Sequence, residues 1–264
     1  MSALAFPSGG VRLRGFDLGA GPATLFQHGL GGDEAQVAEA FPSEGRRRLT
    51  LECRAHGRSE PGDPRDFSIA RFADDVLAFA DSRGVARFAV GGISMGAAIA
   101  LRIAATRPER VDALVLARPA WGWAKAPANM RPFAEAARGL AGGGRAAFAA
   151  SATARMLARD APDNLASLLG FFDRPNLPVV ATLLASIAID GPGVGEAEIR
   201  AIAAPTLVLG AAMDYVHPVG LARELAGAIP SAGFVEVASK AKDKARHFAE
   251  LRAAIDGFLA SKGY

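Results

Sequence analysis

Val90-Gly91-Gly92-Ile93-Ser94-Met95-Gly96-Ala97-Ala98 is the stretch from which the fold can be read. The apolar run Phe88 to Gly91 predicts a strand, and Met95 to Ala105 predicts a helix that stops before Pro108. Between them stands Gly-x-Ser-x-Gly, as Gly92 to Gly96. A chain that turns sharply from strand to helix forces the residue at the corner into a strained conformation and exposes its side chain. Small residues two before and two after it let neighbouring backbones approach closely. The helix N-terminus adds free N–H groups and a positive dipole end beside any charge that develops there. Ser94 is therefore the candidate nucleophile. The competing reading of the same residues is a glycine-rich turn with a helix-capping serine.

Working outward, short apolar runs alternate with amphipathic stretches, the rhythm of β/α units around a mostly parallel sheet. Val11 to Leu18 alternates and predicts an early edge strand. Ala23 to Gln27, Arg48 to Cys53 and Val111 to Ala117 predict further strands. Ile69 to Ser82 carries a helical stripe at Ile69, Phe72, Ala73, Val76, Leu77 and Ala80, with Ser68 as its cap. From Pro119 to about Arg200 the rhythm changes to Ala-rich helical stretches around 133–150, 152–159, 165–172 and 177–189. Gly142-Gly143-Gly144, Pro162-Asp163-Asn164 and Asp190-Gly191-Pro192-Gly193 punctuate them. A strand at Pro205 to Gly210, a helix at Val219 to Ala228, a strand at Gly233 to Val237 and a helix at Arg246 to Ala260 complete the chain. The expectation is an α/β core formed by 1–118 and 201–264, interrupted by a helical insertion at 119–200. That insertion of about 80 residues is far longer than an ordinary loop.

A serine hydroxyl needs a base to take its proton, and histidine suits best near neutral pH. Four histidines are present. His28 and His56 precede glycines on loops after early strands. His217 precedes Pro218, three residues after Asp214, and reads as a helix start. His247 lies between the last predicted strand and the final helix, downstream of Ser94 and Asp214, so the order Ser…Asp…His is kept. His247 is the expected base. Asp214 directly follows the strand Leu207-Val208-Leu209-Gly210 and is expected to accept from the imidazole, fixing its tautomer; the alternative is a cap for the next helix. The other position for such an acid, after the preceding strand, holds Arg118. Gln27-His28-Gly29-Leu30-Gly31-Gly32 should line the same rim. The backbone amides of Leu30 and Met95 are the expected pair of oxyanion donors.

Half the residues are hydrophobic, 22% are charged and the formal net charge is +3, an ordinary globular composition in 264 residues. Basic residues are scattered. Arg46-Arg47-Arg48 reads as a solvated strand start, and no nucleic-acid footprint is present. The single cysteine, Cys53, excludes an intramolecular disulfide framework and reads as a small core residue. The first ten residues lack a basic start and apolar run, and Phe88 to Leu101 is too short to span a bilayer. A cytoplasmic protein without membrane association is the expectation. No Cys/His cluster has metal-ligand spacing, so neither metal nor organic cofactor is implied.

Together these residues resemble the α/β-hydrolase superfamily, in particular its small esterase, lactonase and C–C hydrolase members. The likeness covers about 25–117 and 205–259. It includes His28-Gly29-Leu30-Gly31, Arg54-Ala55-His56-Gly57-Arg58-Ser59, the serine turn, Arg107-Pro108-Glu109-Arg110-Val111, and the Asp214 and His247 segments. Ala55-His56-Gly57 stands where the family usually has Gly-His-Gly. Arg246 precedes His247 within a basic stretch, Lys240-Ala241-Lys242-Asp243-Lys244, where a small residue is usual. The resemblance implies that the insertion is a helical cap. Trp121, Trp123 and Phe171, with Met130, Phe133 and Phe172, are then candidates for a substrate wall, plain core being the favoured alternative for each; Arg118 could meet a substrate carboxylate or equally form a structural ion pair. It implies acyl transfer from a small ester or lactone through an acyl-enzyme on Ser94. A diketone C–C hydrolase with the same triad, or a ligand-binding member without turnover, are the alternatives.

Overall fold

The computed structural model describes residues 3–264. Eight strands form one sheet: β1 (Leu4–Ser8), β2 (Val11–Leu18), β3 (Ala23–Gln27), β4 (Arg47–Glu52), β5 (Phe88–Ile93), β6 (Val111–Ala117), β7 (Thr206–Ala211) and β8 (Ala232–Val237). Their order is β1-β2-β4-β3-β5-β6-β7-β8. β2 runs antiparallel to β1 and to β4, and the strands from β4 to β8 are mutually parallel. Every residue of β3, β5 and β7 is buried, as expected of parallel strands covered on both faces.

Among the described residues eleven α-helices accompany the sheet: α1 (Glu34–Ala40), α2 (Ile69–Ser82), α3 (Met95–Thr106), α4 (Arg131–Arg138), α5 (Gly144–Ala149), α6 (Ala152–Asp160), α7 (Pro162–Leu169), α8 (Leu177–Ala188), α9 (Glu196–Arg200), α10 (Val219–Ala228) and α11 (Lys244–Ala260). One face is covered by α1 and α11, where Val37, Leu251, Ile255 and Leu259 meet Phe26, Val115 and Leu209. The other is covered by α2, α3 and α10, continuous with the core of the insertion. Fully burying a side chain such as Phe26, Val90 or Leu114 contributes about 2 kcal/mol, so these two cores hold the sheet. Helix α2 begins where its cap predicts: Ser68 accepts from the Arg71 amide at 3.1 Å, and Gly84 at φ 67° follows its end.

The structure differs from the sequence expectation in three places. Val11–Leu18 is not an edge, because β1 pairs outside it through a tight Gly9-Gly10 turn with φ 54° and 80°. Both positive angles match a two-residue hairpin turn. Helices α1 and α9 were not anticipated, being only seven and five residues long, too short to display a period. Asp33 starts α1 by accepting from Ala35 and Gln36. The helical stretch expected around 133–150 is divided where the glycine triplet punctuates it: a π-helical turn spans Gly139–Gly143 after α4, and Gly144 at φ 73° opens α5.

Between β6 and β7 the chain forms α4 to α9 and adds no strand to the sheet. The parallel strands all point their C-terminal ends to one rim, which is where such sheets carry their sites.

Backbones also pack closely at the β5–α3 corner. A Cβ on Gly96 would collide with the Gln27 carbonyl oxygen and lie 2.6 Å from its carbon. Both are backbone atoms of β3 and cannot rotate away. Gly96→Ala is expected to cost at least about 2 kcal/mol, read as a lowered urea midpoint. Gly142→Ala, with nothing within 4 Å of the added carbon, is expected to leave the midpoint unchanged or slightly raised.

Candidate active site

Ser94 sits at that corner with φ 57° and ψ −110°, a left-handed region that a non-glycine residue occupies at a cost of about 1–3 kcal/mol. Backbone bonds over-determine it. Its N–H donates to Ala117 O at 3.0 Å, and its carbonyl accepts from Ala98 at 3.1 Å. The hydroxyl makes no capping bond to α3, so the helix-cap reading does not describe it. The Gln27–Gly32 turn lies alongside: a Cβ on Gly29 would stand 3.3 Å from Ser94 Cβ. Gln36 Oε1 accepts from the Gly29 amide at 2.7 Å, and Gly32 N–H closes the turn onto Gly29 O at 2.8 Å. None of the turn and loop hydrogen bonds uses the Leu30 amide. Met95, the first residue of α3, has an amide without a helical acceptor.

His28 and His56 are structural. His28 Nε2 accepts from the Cys53 amide at 3.0 Å, while Nδ1 donates to Gly29 O at 2.9 Å. Burial depresses its pKa to about 4, so the ring stays neutral and ties the Gly29 turn to the end of β4. His56 packs against it, the rings tilted by 42° with centroids 4.7 Å apart, and donates through Nδ1 to Arg54 O.

Across the rim, Asp214 is held by two partners. Arg118 Nε and Nη2 both donate to its Oδ2, at 2.9 and 2.6 Å. His217 Nδ1 lies 2.8 Å from Oδ1 and 2.9 Å from Oδ2, and the His217 amide donates to Oδ1 at 3.1 Å. Burial alone would raise the Asp214 pKa, but the neighbouring imidazole and guanidinium outweigh it and hold the carboxyl far below the ordinary range. Burial pushes His217 below its ordinary value; the Asp214 charge opposes that shift and Arg118 adds to it. Arg118 at φ 48° and Met213 at φ 57° are also left-handed. Strained residues thus follow β5, β6 and β7 in turn, the kind of clustering that accompanies a working site.

A cavity of about 90 Å³ joins these groups. Ser94, Gly29, Leu30 and Gln36 form one side, Arg118, Val216, His217 and Lys240 another, and Phe133, Asp163, Asn164 and Phe171 come from the insertion. Of the expected residues, the structure gathers Ser94, Leu30, Phe133 and Phe171 on this cavity, with Asp214 directly behind His217. It does not gather His247. That ring lies in the first turn of α11 and points Nδ1 at Ala238 O, 2.7 Å away, so Asp214 spends its hydrogen bonds elsewhere. Trp121 and Trp123 are not on the cavity either. Trp121 is buried in the core with Nε1 donating to Asp190 O at 3.0 Å, and Trp123 packs against the same core. For Arg118 the structural ion pair is the alternative realised: it pairs with Asp214 and is not free for a substrate carboxylate. Chain order does not single out His217, although Asp214-x-x-His217 on one loop is a spacing that lets the two side chains meet.

An eight-stranded, mostly parallel sheet with a strained serine corner defines an α/β hydrolase. The chain belongs to that family: its model, described as alpha/beta hydrolase fold, matches residues 22–249. The chain is 31% identical over 229 residues, 82% of each chain, to a protein of Klebsiella pneumoniae (strain 342) named "Putative carbamate hydrolase RutD". Among solved structures, an enol-lactonase from Burkholderia xenovorans LB400 is 27% identical with a TM-score of 0.71, covering 96% of this chain and 98% of that one. A thermophilic esterase from Thermogutta terrifontis has a TM-score of 0.74 over the full length of both chains at 21% identity, a likeness of fold. No helix among the described residues is long and apolar enough to cross a membrane.

The Arg118–Asp214 pair has side chains only 9% and 5% exposed. Arg118→Met would strand a buried carboxylate and is expected to cost about 3 kcal/mol at neutral pH, read by urea unfolding. The Asp214 pKa is depressed, so this stabilisation is present above the unfolded Asp range and fades as pH falls below about 4. The gap between variant and parent should narrow there.

Proposed function

We propose that this chain is a serine hydrolase that cleaves a small ester or lactone through an acyl-enzyme on Ser94. The observation that carries the reading is the strained, uncapped Ser94, which lines a cavity walled by a histidine hydrogen-bonded to a buried carboxylate. Strain at such a corner persists only where the surroundings enforce it, and here it falls on the serine of that cavity. Ser94 Oγ attacks the carbonyl carbon as an imidazole on the rim takes the hydroxyl proton. The Leu30 and Met95 amides hold the oxyanion. The imidazole then protonates the leaving alcohol, and water cleaves the acyl-enzyme by the same steps in reverse role.

The helical insertion acts as the cap. Phe133 and Phe171 meet edge to face at 6.0 Å on the cavity, and Arg174 reaches across to donate to Gly31 O. A cavity of about 90 Å³ is well below the several hundred Å³ of a drug-sized pocket, which favours a short acyl group or small ring. The relatives named for an enol-lactone and for a carbamate support a carbonyl carrying an O- or N-linked leaving group.

Ser94→Ala is expected to abolish both hydrolysis and covalent labelling by a fluorophosphonate. Labelling retained at another serine would overturn the assignment. Turnover compared across 4-nitrophenyl acetate, a small lactone, a carbamate and a ring-cleavage diketone assigns the bond cleaved. Preference for the diketone would make the chain a C–C hydrolase. No turnover on any of them, together with ligand-induced thermal stabilisation, would make it a binding protein.

A further inference from the structure

We propose that the base acting on Ser94 is His217, on the loop after β7, and that His247 at the start of α11 is structural. This rests on the serine-hydrolase reading above and specifies its proton path.

Three observations carry it. First, the hydrogen bond that orients a catalytic imidazole is made by His217, whose Nδ1 lies 2.8 and 2.9 Å from the two oxygens of Asp214. His247 spends Nδ1 on the Ala238 carbonyl. Second, His217 and Ser94 wall the same cavity, and His247 does not. Third, His217 Nε2 is buried without a hydrogen-bond partner. With Nδ1–H given to the carboxylate, Nε2 keeps its lone pair, and a buried acceptor left open is costly unless something uses it. His247 Nε2 is also unpartnered, but away from the cavity wall it has no substrate or serine to serve.

The surroundings fix His217 in place. Val216 is held on both sides by the insertion: its amide donates to Asn164 Oδ1 at 3.0 Å, and its carbonyl accepts from Asn129 Nδ2 at 2.6 Å. Arg118 locks the far oxygen of Asp214 and is a positioning residue. Where a base after the last strand would be expected, Lys240 lines the cavity instead, 3.0 Å from Asp163 of α7. The step balances without any further reagent. The Ser94 O–H proton passes to His217 Nε2 as the Oγ–carbonyl bond forms. That proton goes to the leaving oxygen as its bond to carbon breaks, and water repeats the cycle to release the acid. The resting structure has no bond between Ser94 Oγ and His217, and such contacts commonly tighten only with substrate present. The charged and titratable groups around His217 are Asp214, Arg118, Lys240 and Asp163; burial with the two cations keeps its ring neutral at pH 7, the form a base requires.

The test compares His217→Gln and His247→Gln with the unaltered protein for hydrolysis of 4-nitrophenyl acetate and for rate of fluorophosphonate labelling. Loss of about 10³-fold or more in His217→Gln, with His247→Gln within about fivefold, is expected. The reverse pattern overturns the proposal and places the base on α11; near-normal rates in both variants also overturn it, while Ser94→Ala reports separately on the hydrolase reading. If both variants lose activity, imidazole added to His217→Ala decides: partial recovery of turnover supports the proposal, and none overturns it. A crystal structure of the unaltered protein carrying a phosphonate on Ser94 needs no variant to fold. It should show His217 Nε2 within about 3 Å of Oγ or a phosphonyl oxygen; His247 in that position would refute the assignment.

Discussion

The close approach of two backbones, at Gly92 and Gly96 on one side and the end of β3 on the other, sets the geometry on which the site depends. A Cβ at Gly92 would stand 2.5 Å from the Gly96 carbonyl carbon and 2.8 Å from Gln27 O. Only glycines let α3 start this near to the sheet. The chain between them has no relaxed route from strand to helix, and Ser94 takes up the mismatch at φ 57°. The strain is sustained because α3 is anchored along its length, from Met95 through Leu101 to Ile103, each almost wholly buried. Helix burial of that extent exceeds the cost of one left-handed residue several times over.

The same rim carries a second constraint, electrostatic rather than steric. A carboxylate as enclosed as Asp214 is tolerated only because the guanidinium of Arg118 and the imidazole and amide of His217 all converge on it. In such surroundings each of these bonds is stronger than in water, and each missing partner would be correspondingly expensive. Left-handed residues at Arg118 and Met213 show that the backbone bends to let this convergence happen.

The insertion makes one frame of loops that are far apart in sequence. Arg174 bonds Gly31 beside the oxyanion turn. Asn129 and Asn164 fix Val216, and Asp163 receives Lys240 from the loop after β8. Three rim loops are thus tied to one helical layer, and the cavity between them is small, with Phe133, Asp163, Asn164, Ser167 and Phe171 of that layer closing it over the rim.

Most of the fold was legible because its elements are long and periodic. The stripe of Ile69–Ser82 with its Ser68 cap, the buried runs at 88–93 and 206–211, and the helical character of 119–200 follow from local pattern alone. β1, α1 and α9 were not legible, since a five-residue edge strand and one- to two-turn helices carry too little pattern to stand out. The sequence by itself determined the serine corner, because glycine spacing is a local backbone requirement that any fold must meet in the same way. It also determined which carboxylate follows β7. Which histidine meets that carboxylate was decided only in three dimensions. Chain order placed His247 suitably, but the loop after β7 curls His217 back onto Asp214, while the Ala238 carbonyl claims the ring of His247. Likewise the tryptophans at 121 and 123 read from position as either core or substrate wall, and the tertiary packing decided for core. Side-chain partnership depends on where loops land, and a linear pattern does not encode that.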